Sequence, residues 1–142
     1  MRILVIRTSA MGDVALTIPV IAAMREQHPD VGITLLTRKE FSNFFQTSGN
    51  LNLFIADFSR RHRGIPGLIR MCRDIIKTGE YDHVIDLHDV IRTRVLRFFF
   101  RMAGIPVSVI DKGRQEKRAL IKGVSRQRLR HTTGRYYDTF AR

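Results

Sequence analysis

Short apolar runs alternate with amphipathic segments along the chain, which is the pattern of strands that alternate with helices. Five runs predict β-strands, at residues 2–7, 32–38, 51–58, 82–88 and 105–111. The segments between them predict helices at residues 14–27, 39–48, 65–79 and 90–103, with further helical pieces around 114–121 and 132–141. Pro19 indicates that the first helix either has an irregular first turn or becomes regular only near Thr17. The first run is apolar throughout, so we expect a strand buried on both faces.

This order of elements predicts an α/β fold, a Rossmann-like parallel sheet with helices on both faces. The 142 residues suffice for one domain. Ligands of such sheets bind beyond the carboxyl ends of the strands. The candidate site therefore lies in the segments at the carboxyl ends of the strands, at residues 7–13, 37–40, 57–64, 86–92 and 111–114. The last residues, GRYYDTFAR, look like a helix in progress and predict that the chain is part of a longer protein.

Charge is distributed unevenly, and this narrows the possible partners. The net charge is +12, and all of it lies in residues 60–142, because basic and acidic side chains cancel in residues 1–59. Such asymmetry predicts an anionic partner, which could be nucleic acid, an anionic lipid surface or a phosphorylated ligand. A hydrophobic content of 44% argues against disorder. The single cysteine, Cys72, rules out a disulfide framework and favours a reducing, cytoplasmic setting.

The segment RTSAMGD, Arg7 to Asp13, connects the first strand to the first helix. Gly12 is the only glycine in it, so it is neither a dinucleotide fingerprint nor a Walker loop. Small residues at the start of a helix can still hold an oxyanion or a sugar hydroxyl. Asp13 has two interpretations, as an N-cap of a helix that begins at Val14 or as a ligand contact.

Two sets of arginines are candidates for binding anions. Arg60, Arg61 and Arg63 follow the third strand, and guanidinium groups match the geometry of carboxylates and phosphates. The alternative is a solvated run of charge. Arg92 lies on the apolar side of the 90–103 helix, in its first turn, so it either extends to solvent or points into the ligand crevice.

His88 and Asp89 end the fourth strand without a third residue at a spacing suited to a metal ion. We therefore expect Asp89 to cap the following helix. The basic segment at residues 112–131 could bind RNA, but it lacks the interleaved aromatic residues that base stacking needs.

Three stretches resemble glycosyltransferase family nine, the bacterial ADP-heptose:lipopolysaccharide heptosyltransferases. The first is RILVIRTSAMGDVALTIPVIAAMREQHPD, which has the family pattern of a strand, a basic residue, small hydroxyl residues, Gly-Asp and a helix with proline. The second is YDHVIDLHDVIRTRVLRFF, in which Arg92 and Thr93 match a basic residue followed by serine or threonine. The third is RHTTGRYYDTFA, similar to a helix with histidine. Many relatives have Gln-Gly after the aspartate that ends strand four, where this chain has Leu87-His88-Asp89.

The resemblance implies the N-terminal, acceptor-binding half of a GT-B fold, without the C-terminal half that carries most of the nucleotide-sugar site. It implies inverting transfer of heptose from ADP-heptose, or a related nucleotide sugar, to the inner core of lipopolysaccharide, with no cofactor and no metal. Asp13 matches the proposed general base, beside Thr8, Ser9 and Gly12. The three arginines after strand three match the region that holds the acceptor's acidic sugars and phosphates. This half alone should be inactive.

Two hypotheses follow from the sequence. The first is the acceptor half of a cytoplasmic heptosyltransferase, with peripheral contact to the anionic inner membrane and without specific nucleic-acid binding. The second is a basic α/β module that binds RNA or an anionic membrane surface. The first requires basic groups at the carboxyl ends of the strands, near Asp13, whereas the second requires one continuous basic stripe and binding that falls steeply with salt.

Overall fold

The computed structural model describes residues 1–49, 51–123 and 128–142. Within them the strands are β1 (Arg2–Ile6), β2 (Gly32–Arg38), β3 (Asn52–Ala56), β4 (His83–Asp86) and β5 (Val107–Val109). The α-helices are α1 (Met11–Ala15), α2 (Thr17–Gln27), α3 (Gly64–Lys77), α4 (Ile91–Met102), α5 (Arg114–Ile121) and α6 (Thr132–Phe140). The predicted order is confirmed. The helix predicted at residues 39–48 is instead a 3₁₀ segment, Lys39–Phe45.

All five strands are parallel and lie in the order β3-β2-β1-β4-β5. The first strand is central, and its last residue, Ile6, is paired with Leu36 of β2 and with Asp86 of β4. The segments that leave β1, β2 and β4 therefore begin at the same edge of the sheet. This confirms the predicted Rossmann-like parallel sheet.

The sheet is covered on both faces, as the apolar run at the N-terminus predicts. Along β1, Ile3 and Val5 belong to a core on one face, and Leu4 and Ile6 belong to a second core on the other face. The first core includes residues of α1, α2 and α6, and the second includes residues of α3 and α4. Alternate side chains of a strand point to opposite faces, so a strand between two helical layers must be apolar at every position.

The first helix is interrupted, and this changes the surroundings of Asp13. It begins at Met11, three residues earlier than predicted, and α2 restarts at Thr17 after the break at Leu16. Pro19 is the third residue of α2, where the backbone lacks an intrahelical acceptor, so proline removes no hydrogen bond there.

The loop between β3 and α3 packs tightly on α3 at Gly67. A Cβ atom on Gly67 would lie 2.3 Å from the carbonyl carbon of His62, so only glycine allows this approach. The imidazole of His62 is buried, accepts from the backbone N–H of Asp57 at 3.0 Å and lies 3.3 Å from the carboxylate of Asp74 on α3. These contacts fix the loop that carries the three candidate arginines.

Candidate functional site

The guanidinium group of Arg7 organises the loop after β1. Arg7 is buried, and one nitrogen donates to the carbonyl oxygen of Leu87 at 2.5 Å while another lies 2.5 Å from the Asp13 carboxylate. Its guanidinium carbon lies 6.0 Å from the centre of the Tyr136 ring, whose hydroxyl donates to the Asp13 carbonyl oxygen at 3.1 Å. Asp13 is thus held by β1, the end of β4 and α6, while 42% of its side chain stays exposed.

The capping interpretation of Asp13 is wrong. Asp13 is the third residue of α1, and the N-cap position belongs to Ala10, which has no side-chain cap. The carboxylate is therefore not used by the backbone and is directed by Arg7 alone among the described residues.

His88 lies between two hydroxyl groups of the β1 loop. Its Nδ1 is 3.0 Å from the hydroxyl of Thr8, and its Nε2 is 3.2 Å from the hydroxyl of Ser9. Burial lowers the pKa of His88 to about 4, and the nearby positive charges of Arg7 and Lys112 act in the same direction. The imidazole is therefore neutral at physiological pH. Thr8 is almost fully buried, whereas Ser9 is partly exposed.

A cavity of about 840 Å³ opens at the carboxyl ends of β1 and β4. The first turns of α3 and α4 form its sides, and Ser9, His88, Arg92 and Lys112 are among its lining residues. Arg92 therefore lies in the crevice, which was one of its two interpretations. Its guanidinium carbon is 3.9 Å from the centre of the Phe58 ring. Among the described residues no carboxylate forms a salt bridge with Arg92.

Asp13 opens on a neighbouring cavity of about 490 Å³, between the β1 loop and the start of α6. Lys112 lines both cavities, and its ammonium donates to the carbonyl oxygen of Asp89 at 3.0 Å. Asp13 and Arg92 are thus at the same edge of the sheet but do not share a cavity. Gly12 lies on the open side of α1, where a Cβ atom would meet no other atom within 4 Å.

The three arginines after β3, Arg60, Arg61 and Arg63, have different surroundings in the structure. Arg61 donates to both carboxylate oxygens of Asp74, at 2.8 and 2.9 Å, and these bonds lower the pKa of Asp74 to about 2. Arg60 is exposed and lines a third cavity, beside Arg38. Arg63 is exposed and precedes the first residue of α3. None of the three lines the cavity that contains Arg92.

Thr93 and Asp89 shape the start of α4. The hydroxyl of Thr93 is buried, accepts from the Val90 N–H and donates to the Val90 carbonyl, each at 3.0 Å. The Thr93 hydroxyl is thus engaged by the backbone at the start of α4, and its contact with an acceptor substrate stays a prediction. The prediction that Asp89 caps α4 is wrong, because the N-cap residue is Val90.

The Asp89 carboxylate instead receives the guanidinium groups of Arg94, Arg97 and Arg114, at 3.4, 3.2 and 3.2 Å. Burial disfavours its charge, but Arg97 and Arg94 outweigh burial and lower the pKa of Asp89. Its backbone has φ = 45°, a left-handed conformation that costs a non-glycine residue energy.

Asp86 is a residue of the site that sequence reasoning missed. It is fully buried, and one carboxylate oxygen accepts from the backbone N–H groups of His88 and Asp89, at 2.9 and 3.0 Å. The other oxygen is 3.3 Å from a guanidinium nitrogen of Arg97. Asp86 thereby fixes the turn that places His88 against the β1 loop. The signal in the sequence was an acid that ends an apolar strand.

The described residues contain neither a cluster that could hold a metal ion nor a helix that could cross a membrane. Across residues 1–49, 51–123 and 128–142, no group of three or more His, Cys, Asp or Glu side chains could hold a metal ion. In the same part of the chain, every helix is too short or too polar to cross a membrane.

Several solved structures with the same fold are glycosyltransferases, and a UDP-GlcNAc 2-epimerase from Neisseria meningitidis shares it too. A family-nine glycosyltransferase from Veillonella parvula is similar over 99% of this chain and 40% of its own, with 25% identity and a TM-score of 0.72. The heptosyltransferase WaaC of Escherichia coli, solved with ADP, is 20% identical over 99% of this chain and 46% of its own, with a TM-score of 0.69. Escherichia coli ADP-heptose lipopolysaccharide heptosyltransferase II is 16% identical, with 98% and 40% coverage and a TM-score of 0.64.

The fold is that of the N-terminal, Rossmann-like half of a GT-B glycosyltransferase. Within this class the structural neighbours include a family-nine glycosyltransferase and two heptosyltransferases, so the resemblance stated from the sequence is confirmed in the fold. The chain spans less than half the length of each of these three proteins. No protein-family model matches the chain, and no curated protein matches it either.

Proposed function

We propose that the chain is the acceptor-binding half of an inverting glycosyltransferase that transfers heptose from ADP-heptose to the inner core of lipopolysaccharide. The whole protein would contain a second domain of similar size, which supplies most of the nucleotide-sugar site. Two observations support a two-domain protein, the fold itself and the coverage of 40 to 46% of two heptosyltransferase-like neighbours. The reaction would take place on the cytoplasmic side of the inner membrane.

The observation that carries the proposal is the setting of Asp13. Its carboxylate lies at the carboxyl end of the central strand, half exposed, and is directed by a buried arginine. It is not engaged by helix N–H groups. A carboxylate that is fixed, accessible and not used by the fold can accept a proton from a bound hydroxyl group.

The proposed reaction is a single displacement at the anomeric carbon. The acceptor oxygen forms a bond to this carbon, the bond from the carbon to the phosphate oxygen of ADP-heptose breaks, and ADP leaves with the electron pair. Asp13 takes the proton of the attacking hydroxyl as that bond forms. Attack opposite to the leaving group inverts the configuration of the anomeric carbon.

Acceptor recognition would use the larger cavity and the exposed arginines near it. Arg92 offers a guanidinium group without a carboxylate partner among the described residues, at the rim of the sheet. Ser9, which is partly exposed, lines the same cavity. Arg60 and Arg63 are exposed and free to reach acidic sugars or phosphates, whereas Arg61 is committed to Asp74.

The test uses the full-length protein with ADP-heptose and lipopolysaccharide that lacks heptose. We expect ADP release together with an increase in acceptor mass by one heptose, and neither product when the 142-residue chain is used alone. Binding of RNA or of anionic vesicles that falls steeply with salt, without any sugar transfer, would instead support the basic-module hypothesis.

A further inference from the structure

The contacts that hold His88 have no role in the proposed proton transfer. Its ring bridges the hydroxyl groups of two consecutive residues of the β1 loop, Thr8 and Ser9, from the end of β4. The neutral ring has one donor and one acceptor nitrogen, so its tautomer decides the direction of both hydrogen bonds.

The burial of Thr8 selects the tautomer. The Thr8 side chain is 1% exposed, and His88 is the sole hydrogen-bond partner of its hydroxyl among the described residues. If Nδ1 carried the proton, the Thr8 hydroxyl proton would be buried without an acceptor, which is costly. Thr8 therefore donates to Nδ1, and the ring proton is on Nε2, where it donates to the oxygen of Ser9.

This arrangement leaves the proton of the Ser9 hydroxyl available. Ser9 accepts from His88 in this tautomer, and Ser9 lines the cavity that contains Arg92. A group bound there would meet the Ser9 hydroxyl and the guanidinium of Arg92, since the other two arginines of the lining, Arg94 and Arg114, are paired with Asp89. An anionic oxygen is the acceptor that satisfies both donors.

We propose that His88 is a positioning residue that, as the neutral Nε2–H tautomer, turns the Ser9 hydroxyl into a hydrogen-bond donor for an anionic group bound beside Arg92. The anionic group is a carboxylate or a phosphate. Its assignment to the acceptor sugar rests on the function proposed above, whereas the donor arrangement itself does not.

The surroundings of His88 keep the ring neutral. Positive charges face it from Arg7 after β1, Arg38 at the end of β2, Arg92 on α4 and Lys112 after β5. Together with burial they lower the pKa of His88 to about 4, so the donor arrangement persists until the solution is acidic.

The first experiment observes the tautomer in the 142-residue chain. Imidazole ¹⁵N chemical shifts of His88, recorded between pH 8 and pH 5, should show a protonated Nε2 and an unprotonated Nδ1 throughout. A protonated Nδ1, or a charged ring at pH 7, would overturn the proposal.

The second experiment titrates the same chain with inorganic phosphate and with sodium acetate at constant ionic strength, and follows the amide signals of Ser9 and Arg92. Saturable shifts are expected for one or both anions, and the stronger binder identifies phosphate or carboxylate as the preferred group. Absence of saturable shifts with both anions would overturn the proposal, while the heptose-transfer assay would still decide the proposed function separately.

Variants then separate positioning from simple structural support. Ser9→Ala and His88→Leu should each weaken binding of the preferred anion about tenfold, the worth of a hydrogen bond to a charged group. The double variant should bind no more weakly than either single variant, because His88 acts through Ser9. His88→Gln should restore most of the affinity, since an amide offers one acceptor and one donor and is never charged.

The control is His28→Leu, an exposed histidine in the turn after α2, at the opposite end of the sheet, which should have no effect on anion binding. Equal losses in His88→Gln and His88→Leu, or additive losses in the double variant, would contradict the proposed role. If His88→Leu does not fold, the anion titrations of Ser9→Ala and His88→Gln, together with the ¹⁵N measurement of the tautomer, decide whether His88 positions Ser9.

Discussion

The substitution Asp13→Asn in the full-length protein tests the proposed chemistry most directly. Asparagine is nearly the same size as aspartate, but it cannot accept the proton of an attacking hydroxyl group. Removal of a general base lowers kcat by roughly 10²–10⁴. The Kd for ADP-heptose should change little, because most of the nucleotide-sugar site is proposed to lie in the second domain.

The structure also sets the stability cost of this substitution. Asparagine caps helices about as well as aspartate. Asp13 is not a helix cap, so this similarity does not preserve the stability of the variant. The change removes the charged partner of Arg7, whose side chain is 8% exposed, while that of Asp13 is 42% exposed. The energy of such a half-buried ion pair lies between those of exposed and of buried pairs. We therefore expect the free energy of unfolding to fall by about 1–2 kcal/mol. This corresponds to a fall in Tm of roughly 3–8 °C.

The assay is steady-state release of ADP at 25 °C, well below the melting transition of both proteins, with Tm measured on the same samples. Asp30→Asn is the matched control, because it makes the same chemical change at an exposed position in the turn before β2. It should leave both kcat and Tm unchanged. A kcat of Asp13→Asn within tenfold of the wild-type value would show that Asp13 is not the base.

Three further predictions concern residues around the site. Arg92→Met in the full-length protein should raise the acceptor KM about tenfold with Tm retained, and an unchanged KM would show that Arg92 only packs on Phe58. Gly67→Ala should destabilise the chain by about 1–3 kcal/mol in urea unfolding, whereas Gly12→Ala should be tolerated because its surroundings are open. Arg61→Gln should lower stability at pH 6 but not at pH 2. The pKa of its partner Asp74 is about 2 in the fold against 3.8 ordinarily, so the ionised carboxylate stabilises the fold above pH 4 and ceases to do so as the pH falls to 2. An equal loss of the free energy of unfolding at both pH values would contradict this.

The sequence predicted the parallel sheet well because apolar runs and helix periodicity are local signals. Every predicted strand was found in its place, with ends that differ by a few residues, whereas the helix predicted at residues 14–27 is divided into α1 and α2 and the one predicted at residues 39–48 is a 3₁₀ segment. The capping interpretation of Asp13 and the capping prediction for Asp89 were wrong because helix starts are not set by local signals alone. The starts of α1 and α4 depend on how the chain leaves the sheet, and a short polar residue before a helix does not show whether tertiary contacts will engage its carboxylate. Asp13 meets Arg7, and Asp89 meets three arginines.

The location of the site was predictable from the sequence, but the contacts between its side chains were not. That Asp13 and Arg92 lie at the same edge followed from the parallel strands. The commitment of Arg61, in the loop before α3, to Asp74 on that helix could not be read from a run of basic residues. His88 was assessed for metal binding, and its actual partners, in the β1 loop, become visible only when β4 is known to lie beside β1.

The adjacency of β1 and β4 has a consequence for how the chain acquires its site during folding. The contacts of Arg7 with Leu87 and of Thr8 with His88 each join residues 80 positions apart. Closing a loop of this length has an entropic cost that local helices and the β1–β2 pair do not bear. A partly folded chain that contains β1, β2 and their helices, but in which β4 is unpaired, thus has an Arg7 with no carbonyl partner from β4 and a Ser9 with no imidazole. Protection of the Leu87 amide, which donates to Ile6, from hydrogen exchange would therefore report directly on whether a molecule has completed its functional edge.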